Sequence, residues 1–436
     1  MRWLSRVFWL AAWCVWIWLG VGLHRALPRQ VGPRLGHIPI GRTETVLGFV
    51  KDTPLVVVQP RFPTVSMTLK VFDGRTGFLS HELPFDGRWL LQTNSTCRAH
   101  GVVFAHGRGT KNAGFEVVDL ATGRWTTLSE MMVLDVVVHP TRPWVAFRES
   151  ARPIDKPRRL TIVDFTTGAE VFLRPEDSEH AVIGAPLFLG DSDRLAVPAT
   201  RPAAELGAED ATDLEVWRIA SPGVREKVVR NVRVGWPRQS TTSGRIAWTT
   251  FDPASYHVEV FDLDVERVIF STPATDRDPK SRFAVNNRFR LSSTGRALMS
   301  DPQSCLWNLE SGKMFWYPTN GLSPFLIEGA DLFEVEELWD RRLPTMRLGE
   351  WRTAALYDFD TASLQCRCWN ADAAVLQFTN SDFTLGVTSR GVVHRLPFRV
   401  NWPLLILGQT ILVLPLILFW MLLRRLRRKA IQAVAP

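Results

Sequence analysis

The chain has 436 residues, 52 of them Lys or Arg and 44 Asp or Glu. Residues 1–29 and 402–436 hold nine basic residues and no acidic one, so 52 less nine leaves 43 basic against 44 acidic between them. A near-neutral middle argues against a nucleic-acid partner, which needs a basic face to neutralise phosphates. The length itself admits one large all-β domain or two or three ordinary ones.

From the N-terminus, Val7 to Leu23 runs 17 residues without a charge, at the lower limit for a membrane span, with Arg2 and Arg6 before it. Residues 1–29 are therefore predicted to be an N-terminal membrane anchor, with a cleaved signal peptide as the alternative. At the other end Pro403 to Leu423 runs 21 residues with Gln409 and Thr410 as its only polar side chains, and Trp402 and Trp420 sit near its ends. The basic run RRLRRK follows at 424–429. The positive-inside rule then predicts a transmembrane helix at 402–423, a cytoplasmic tail at 424–436, and residues 30–401 outside the cytoplasm, in the periplasm or at the cell surface.

Between these ends a turn recurs. Aligning FDGRTG (Asp73), VDLATG (Asp119), VDFTTG (Asp164), WRIASPG (Arg218), FDLDVE (Asp262), WNLESG (Asn308) and YDFDTA (Asp358) gives steps of 46, 45, 54, 44, 46 and 50 residues. Before each turn an apolar, β-branched or aromatic stretch alternates as a half-buried strand does. The Asp or Asn side chain accepts from amides two residues on, and the Gly four residues after it supplies the positive φ that starts the next strand of a hairpin. The copies at Arg218, Asp262 and Asp358 lack that Gly in place, which makes them the weaker turns. Upstream, VVVHPTRPWVAFRE at 136, RFRLSSTGRALMSD at 288 and APLFLGDSDRLAVPA at 185 each read as a strand, a polar turn and a strand. Four strands per repeat of this length make the blade of a β-propeller, whose faces are buried only by neighbouring blades.

The stretches HPTRPWVAFRESARPIDKPRRLTIVDFTTGAEVF and SSTGRALMSDPQSCLWNLESGKMFW resemble the WD40-like and quinoprotein-like β-propeller repeat families, over about residues 44–397. The G-H dipeptide and the strict W-D of true WD40 repeats are missing. The resemblance implies an all-β propeller; the repeat count predicts seven blades, with six or eight as alternatives. The strand-like stretch ETVLGFVKDTPLVVVQP at 44 and the strand pair in FTLGVTSRGVVHRLP at 383 are expected to meet in one blade, closing the ring and leaving no sheet edge exposed.

Candidate chemistry is sparse. No G-x-S-x-G, H-E-x-x-H, Walker A, C-x-x-C or G-x-G-x-x-G pattern occurs. Two acidic stretches, Glu205, Glu209, Asp210, Asp213 and Glu215, and Asp331, Glu334, Glu336, Glu337 and Asp340, lack the spacing of a calcium loop and are expected to be solvated insertions between strands. Of nine histidines only His100 and His106 are close in sequence. On a strand that spacing puts them on one face but about 20 Å apart, which does not suit a zinc pair. Trp217 and Trp307, next to turns, are expected to pack between blades. Outside the first apolar run lie Cys97, Cys305, Cys366 and Cys368. They allow three pairings among which the sequence does not choose, and buried or free thiols rather than a disulfide are the expectation. No catalytic residue, no metal ligand and no cofactor is nominated. The chain reads as a membrane-anchored, extracytoplasmic, non-enzymatic scaffold for an envelope protein, with its terminal helices in the bilayer. The alternative is a quinoprotein-like or metal-dependent propeller enzyme with its site at the central channel.

Overall fold

The computed structural model describes residues 9–10, 13–22, 34–51, 53–61, 67–92, 95–107, 114–149, 160–174, 181–182, 185–201, 211–219, 223–229, 238–240, 244–252, 255–273, 289–292, 294–300, 305–316, 325–327, 332–343, 346–362, 364–369, 376–379, 384–388, 391–395 and 402–434. Among these residues the chain forms eight antiparallel sheets, seven of them meanders taken in sequence order and the eighth completed by a strand from the N-terminal end. Blade 1 is Glu44–Phe49, Leu55–Pro60, Thr68–Asp73 and Leu79–Pro84. Blade 2 is Trp89–Gln92, Val102–His106, Phe115–Asp119 and Trp125–Ser129. Blade 3 is Val133–Val138, Trp144–Glu149, Leu160–Asp164 and Glu170–Leu173. In blade 4 the short pieces Ala181–Val182 and Leu187–Phe188 share the first place, before Arg194–Arg201, Ala211–Arg218 and Val224–Val229. Blades 5, 6 and 7 begin at Arg238, Phe289 and Phe325 and end at Pro273, Trp316 and Trp369.

Blade 8 is built from both ends of the domain. Leu376–Thr379, Leu385–Thr388 and Val392–Arg395 supply three strands, and Arg34–His37 supplies the fourth, with Arg34 opposite His394 and His37 opposite Val392. The ring does close in one blade, but not through the stretch at 44, which forms the first two strands of blade 1; the closing strand is Arg34–His37, upstream of the repeats. The count of seven is corrected to eight, because each sequence repeat marks a turn between the third and fourth strands. Blade 8 has no such turn: its fourth strand comes from the other end of the chain.

Neighbouring blades bury each other. Leu47, Val57 and Leu69 of blade 1 pack with Val103 and Val118 of blade 2, Phe104 and Phe115 of blade 2 with Phe147 and Phe165 of blade 3, and Ile162 and Phe172 of blade 3 with Trp217 of blade 4. Leu214 meets Trp248, Val260 meets Trp307, and Met299 meets Tyr357. The first strands of blades 7 and 8 are in contact. Val387 and Val393 of blade 8 then pack on Val46 and Val56 of blade 1, so the set of contacts closes on itself. At about 1.5–3 kcal/mol for each large apolar side chain buried, these seams are the main favourable term. This is the arrangement of a β-propeller, established by strand order and packing. Trp217 and Trp307 pack between blades, where their positions next to turns place them.

Outside the ring, residues 13–22 are helical, as is Trp402–Val434. Among the described residues no helix is long and apolar enough to cross a membrane. The fold therefore supports the all-β ring but not the flanking transmembrane helices expected at 1–29 and 402–423.

A rigid ring and a candidate protein-binding surface

The recurring turn is an Asx turn that caps the third strand. Asp164 Oδ1 accepts from the amides of Thr166 (2.8 Å) and Thr167 (3.1 Å) and from Thr166 Oγ1 (2.6 Å), and Gly168, at φ +75°, donates to the Asp164 carbonyl at 2.7 Å. Burial opposes ionisation of Asp164, but these hydrogen bonds outweigh it and hold the carboxyl below its usual range. The same pattern forms at Asp73, Asp119 and Asn308. Two of the copies that lack glycine turn the same way: Asp262 accepts from the Asp264 amide at 2.9 Å and Asp358 from the Thr361 amide at 2.8 Å. Glu266 (φ 53°) and Ala362 (φ 55°) there take the left-handed conformation that glycine takes elsewhere. The side-chain cap dictates the turn, and the backbone cost is tolerated.

The amide after each capping residue joins this turn to the one between the first and second strands. Leu120 donates to the Gly101 carbonyl (2.8 Å), Phe165 to Pro143 (2.9 Å), Ile219 to Asp193 (2.6 Å) and Leu309 to Arg296 (2.7 Å). Both sets of turns therefore share one face of the ring. Side chains then cross the seams to backbone carbonyls: His81 Nε2 to Leu120 (2.8 Å), His100 Nε2 to His139 (2.7 Å), His139 Nε2 to Ser192 (2.9 Å), Lys227 Nζ to Leu263 (2.6 Å) and Arg245 Nη1 to Gly295 (2.8 Å). Thr294 Oγ1 crosses the next seam to the Asp360 carboxylate, donating to Oδ1 at 2.7 Å. At about 1 kcal/mol each these bonds are modest, but they fix blade against blade at six successive seams.

The sequence candidates resolve accordingly. His100 precedes the second strand of blade 2 and His106 ends it, so they lie at opposite ends and form no pair. His81, His100 and His139 are the stitches just described, while His24 and His180 lie outside the described residues. Of the first acidic stretch, Glu205, Glu209 and Asp210 lie outside the described residues. Asp213 and Glu215 correct the expectation of a solvated loop: both are on a strand and fully buried. Glu215 accepts from Arg174 Nε (2.8 Å) and Nη2 (3.0 Å) across the seam between blades 3 and 4, and from Trp217 Nε1 (2.9 Å). Its carboxylate is a clamp with both oxygens engaged. The second stretch, apart from undescribed Asp331, forms the long second strand of blade 7, Leu332–Leu343, rather than a loop. Cys97 and Cys305 are buried thiols in blades 2 and 6, the Cys305 thiol pushed up to about 12 by burial. Cys366 and Cys368 share the strand Leu364–Trp369. Among the described residues no three His, Cys, Asp or Glu gather in a group that could hold a metal ion.

The opposite face carries the turns between second and third strands and the connections between blades. There the described residues expose three large apolar side chains: Trp89 (60% exposed), Met131 (44%) and Met132 (44%). The turn Phe85 to Arg88 sets Trp89: Asp86 and Gly87 take positive φ of 44° and 86°, and the Arg88 amide donates to the Phe85 carbonyl at 2.8 Å. Arg88 is held 4.1 Å over the Trp125 ring and 2.5 Å from Glu116, so the residue next to Trp89 is fixed in place. One blade on, the Met131 amide donates to Ser129 Oγ at 3.0 Å, and that hydroxyl donates to Glu149 of blade 3 at 3.1 Å. Exposed Asp86 and Glu130 flank these apolar groups. The strand pairs between which the second-to-third turns run are longest in blades 4, 5 and 7, with strands of eight residues or more. Sequence reasoning missed Trp89, Met131 and Met132; the signal was an apolar residue placed right after a turn, in DGRW and SEMMV, outside any strand alternation.

No family model matches the chain, and no curated protein matches it. Among solved structures it is similar to an oligogalacturonate lyase in complex with manganese, at 11% identity over 68% of this chain and 86% of that one, with a TM-score of 0.37. It is similar also to TolB from Acinetobacter baumannii, at 12% over 70% and 80%, TM-score 0.35, and to a chain of a nidogen/laminin complex, at 12% over 55% and 80%, TM-score 0.32.

Proposed function

We propose that this protein is a membrane-anchored scaffold whose propeller, outside the cytoplasm, binds another envelope protein. The observation that carries the reading is the exposed set Trp89, Met131 and Met132, backed by an immobilised framework. Tryptophan and methionine on a fixed support supply apolar contact area at little ordering cost, as residues that dominate protein interfaces do. The flanking carboxylates of Asp86 and Glu130 suit a partner patch with an apolar centre and a basic edge.

Anchoring belongs to the same reading. In blade 8 the chain enters at Arg34 and leaves at Arg395, at the edge where the other blades join their third and fourth strands. The tethers thus leave from the face of the stitched turns, and the face bearing Trp89 points away from them. Both terminal helices carry exposed apolar side chains, among them Trp13, Ile17 and Trp18, and Ile406, Ile411, Leu418 and Leu422, for which lipid is the fitting solvent. The basic run at 424–429 supports a tail on the cytoplasmic side.

The test is purification of a tagged full-length chain from gently solubilised membranes, beside a Trp89→Ala, Met131→Ala double variant, with mass spectrometry for proteins, metals and organic cofactors. A stoichiometric protein lost in the variant supports the reading. A bound metal or quinone with no protein partner overturns it.

A further inference from the structure

Residues 13–22 are exposed throughout, except Trp16 and Gly20, which lie one helical turn apart on one face. In the helix Trp402–Val434, the residues with described side chains that escape exposure are Leu405, Gly408, Gln409 and Val413, again a single stripe at spacings of three and four. The stripes meet: a Cβ on Gly20 would overlap Nε2 of Gln409. Two buried polar atoms in the pair have no hydrogen-bond partner, Trp16 Nε1 and Gln409 Oε1, one a donor only and the other an acceptor. Of the two polar side chains in 403–423, Thr410 is satisfied within its own helix, donating to the Ile406 carbonyl at 2.8 Å, which leaves Gln409 to find a partner elsewhere.

We infer that the N-terminal segment is retained as a second membrane helix, paired antiparallel with the C-terminal one, rather than removed as a leader. Gly20 gives the close approach, and the unpartnered Trp16 indole N–H and Gln409 carbonyl are the donor and acceptor that the paired helices would join in lipid. Small residues and interhelical hydrogen bonds are what join helices in lipid, where apolar side chains gain nothing by leaving the bilayer for each other. The direction follows from blade 8: one helix leads into Arg34 and the other leaves from Arg395, and those two ends are neighbours. The inference rests on the membrane anchoring proposed above.

Its test uses the full-length chain with Cys14→Ala. Gly20→Cys with Gln409→Cys is oxidised in native membranes, remaining thiols are alkylated, and the intact mass is read. The expected result is a chain that keeps its first residues and loses two alkylatable thiols. The exposed control, Ile17→Cys with Ile411→Cys, loses none. A mature chain lacking the N-terminal segment overturns the inference, as does oxidation no greater than in the control. Should the cysteine pair disturb the helices, Trp16→Phe and Gln409→Leu give a second readout. Each is expected to speed proteolytic release of residues 1–33, and the double variant to add little to either; full additivity overturns the pairing. A carbonate wash separates the readings: a chain released by it refutes the anchoring, while a chain retained without the cross-link refutes the pairing alone.

Discussion

His139 in blade 3 donates from Nε2 to the carbonyl of Ser192 in blade 4 at 2.9 Å, while its Nδ1 accepts from the amides of Thr141 (3.2 Å) and Arg142 (3.0 Å). The ring is therefore neutral, with its proton on Nε2, and a second proton would displace two amide donors. Burial, with Arg142 and His100 nearby, lowers the pKa despite the Ser192 bond and the Asp191 charge. Burial lowers that of His100 as well, against its bonds to the His139 and Pro140 carbonyls.

A base whose folded pKa is depressed binds fewer protons than in the unfolded chain, so its contribution is whole above the unfolded value, about 6.5, and declines as pH falls below it. Thermal unfolding of the purified chain is expected to move to lower temperature between pH 7.5 and 5.5. His139→Gln should lower stability at pH 7.5 by about 1–3 kcal/mol and flatten that slope. An unchanged slope would remove the histidine stitches from the account.

The turns without glycine offer the opposite sign. Glu266 and Ala362 hold the left-handed conformation at a cost glycine does not bear. Glu266→Gly and Ala362→Gly should each raise stability by about 0.5–1 kcal/mol, the backbone relief being partly offset by the greater freedom of glycine in the unfolded chain. Denaturant titration reads this directly.

Closure of the ring has its own probe. A Cβ on Gly77 would overlap the carbonyl of His37, and one on Gly36 the carbonyl of Gly74, where the N-terminal strand passes the first blade. Gly168 occupies the same turn position with nothing within 4 Å. Gly168→Ala should cost about 1 kcal/mol for its φ alone, whereas Gly77→Ala should cost well over 2 kcal/mol and expose residues 34–37 to hydrogen exchange. Equal losses would mean that the closing strand adapts.

For the binding surface, Trp89→Ala is expected to weaken capture of the partner at least about tenfold, equivalent to about 1.4 kcal/mol, with Met131→Ala and Met132→Ala smaller. None should shift the melting temperature by more than about a degree or two, since these side chains bury little of the core. A large loss of stability would make Trp89 structural.

The sequence by itself determined the repeat, the capping turn and the alternating strands, because an Asx turn and a half-buried strand are local: Asp164 and Gly168 meet within five residues. It carried the apolar character of 403–423 as well. Tertiary structure decided the rest. The eighth blade was hidden because its fourth strand, Arg34–His37, is 355 residues or more from the strand it pairs with, and no periodicity marks it. Glu215 read as solvated charge until a neighbouring blade supplied Arg174. Trp89 reads like any other tryptophan in a chain of 18, and only the ring shows which face it is on. Local chemistry fixes a turn from either side of it; burial is settled by what arrives from elsewhere in the chain.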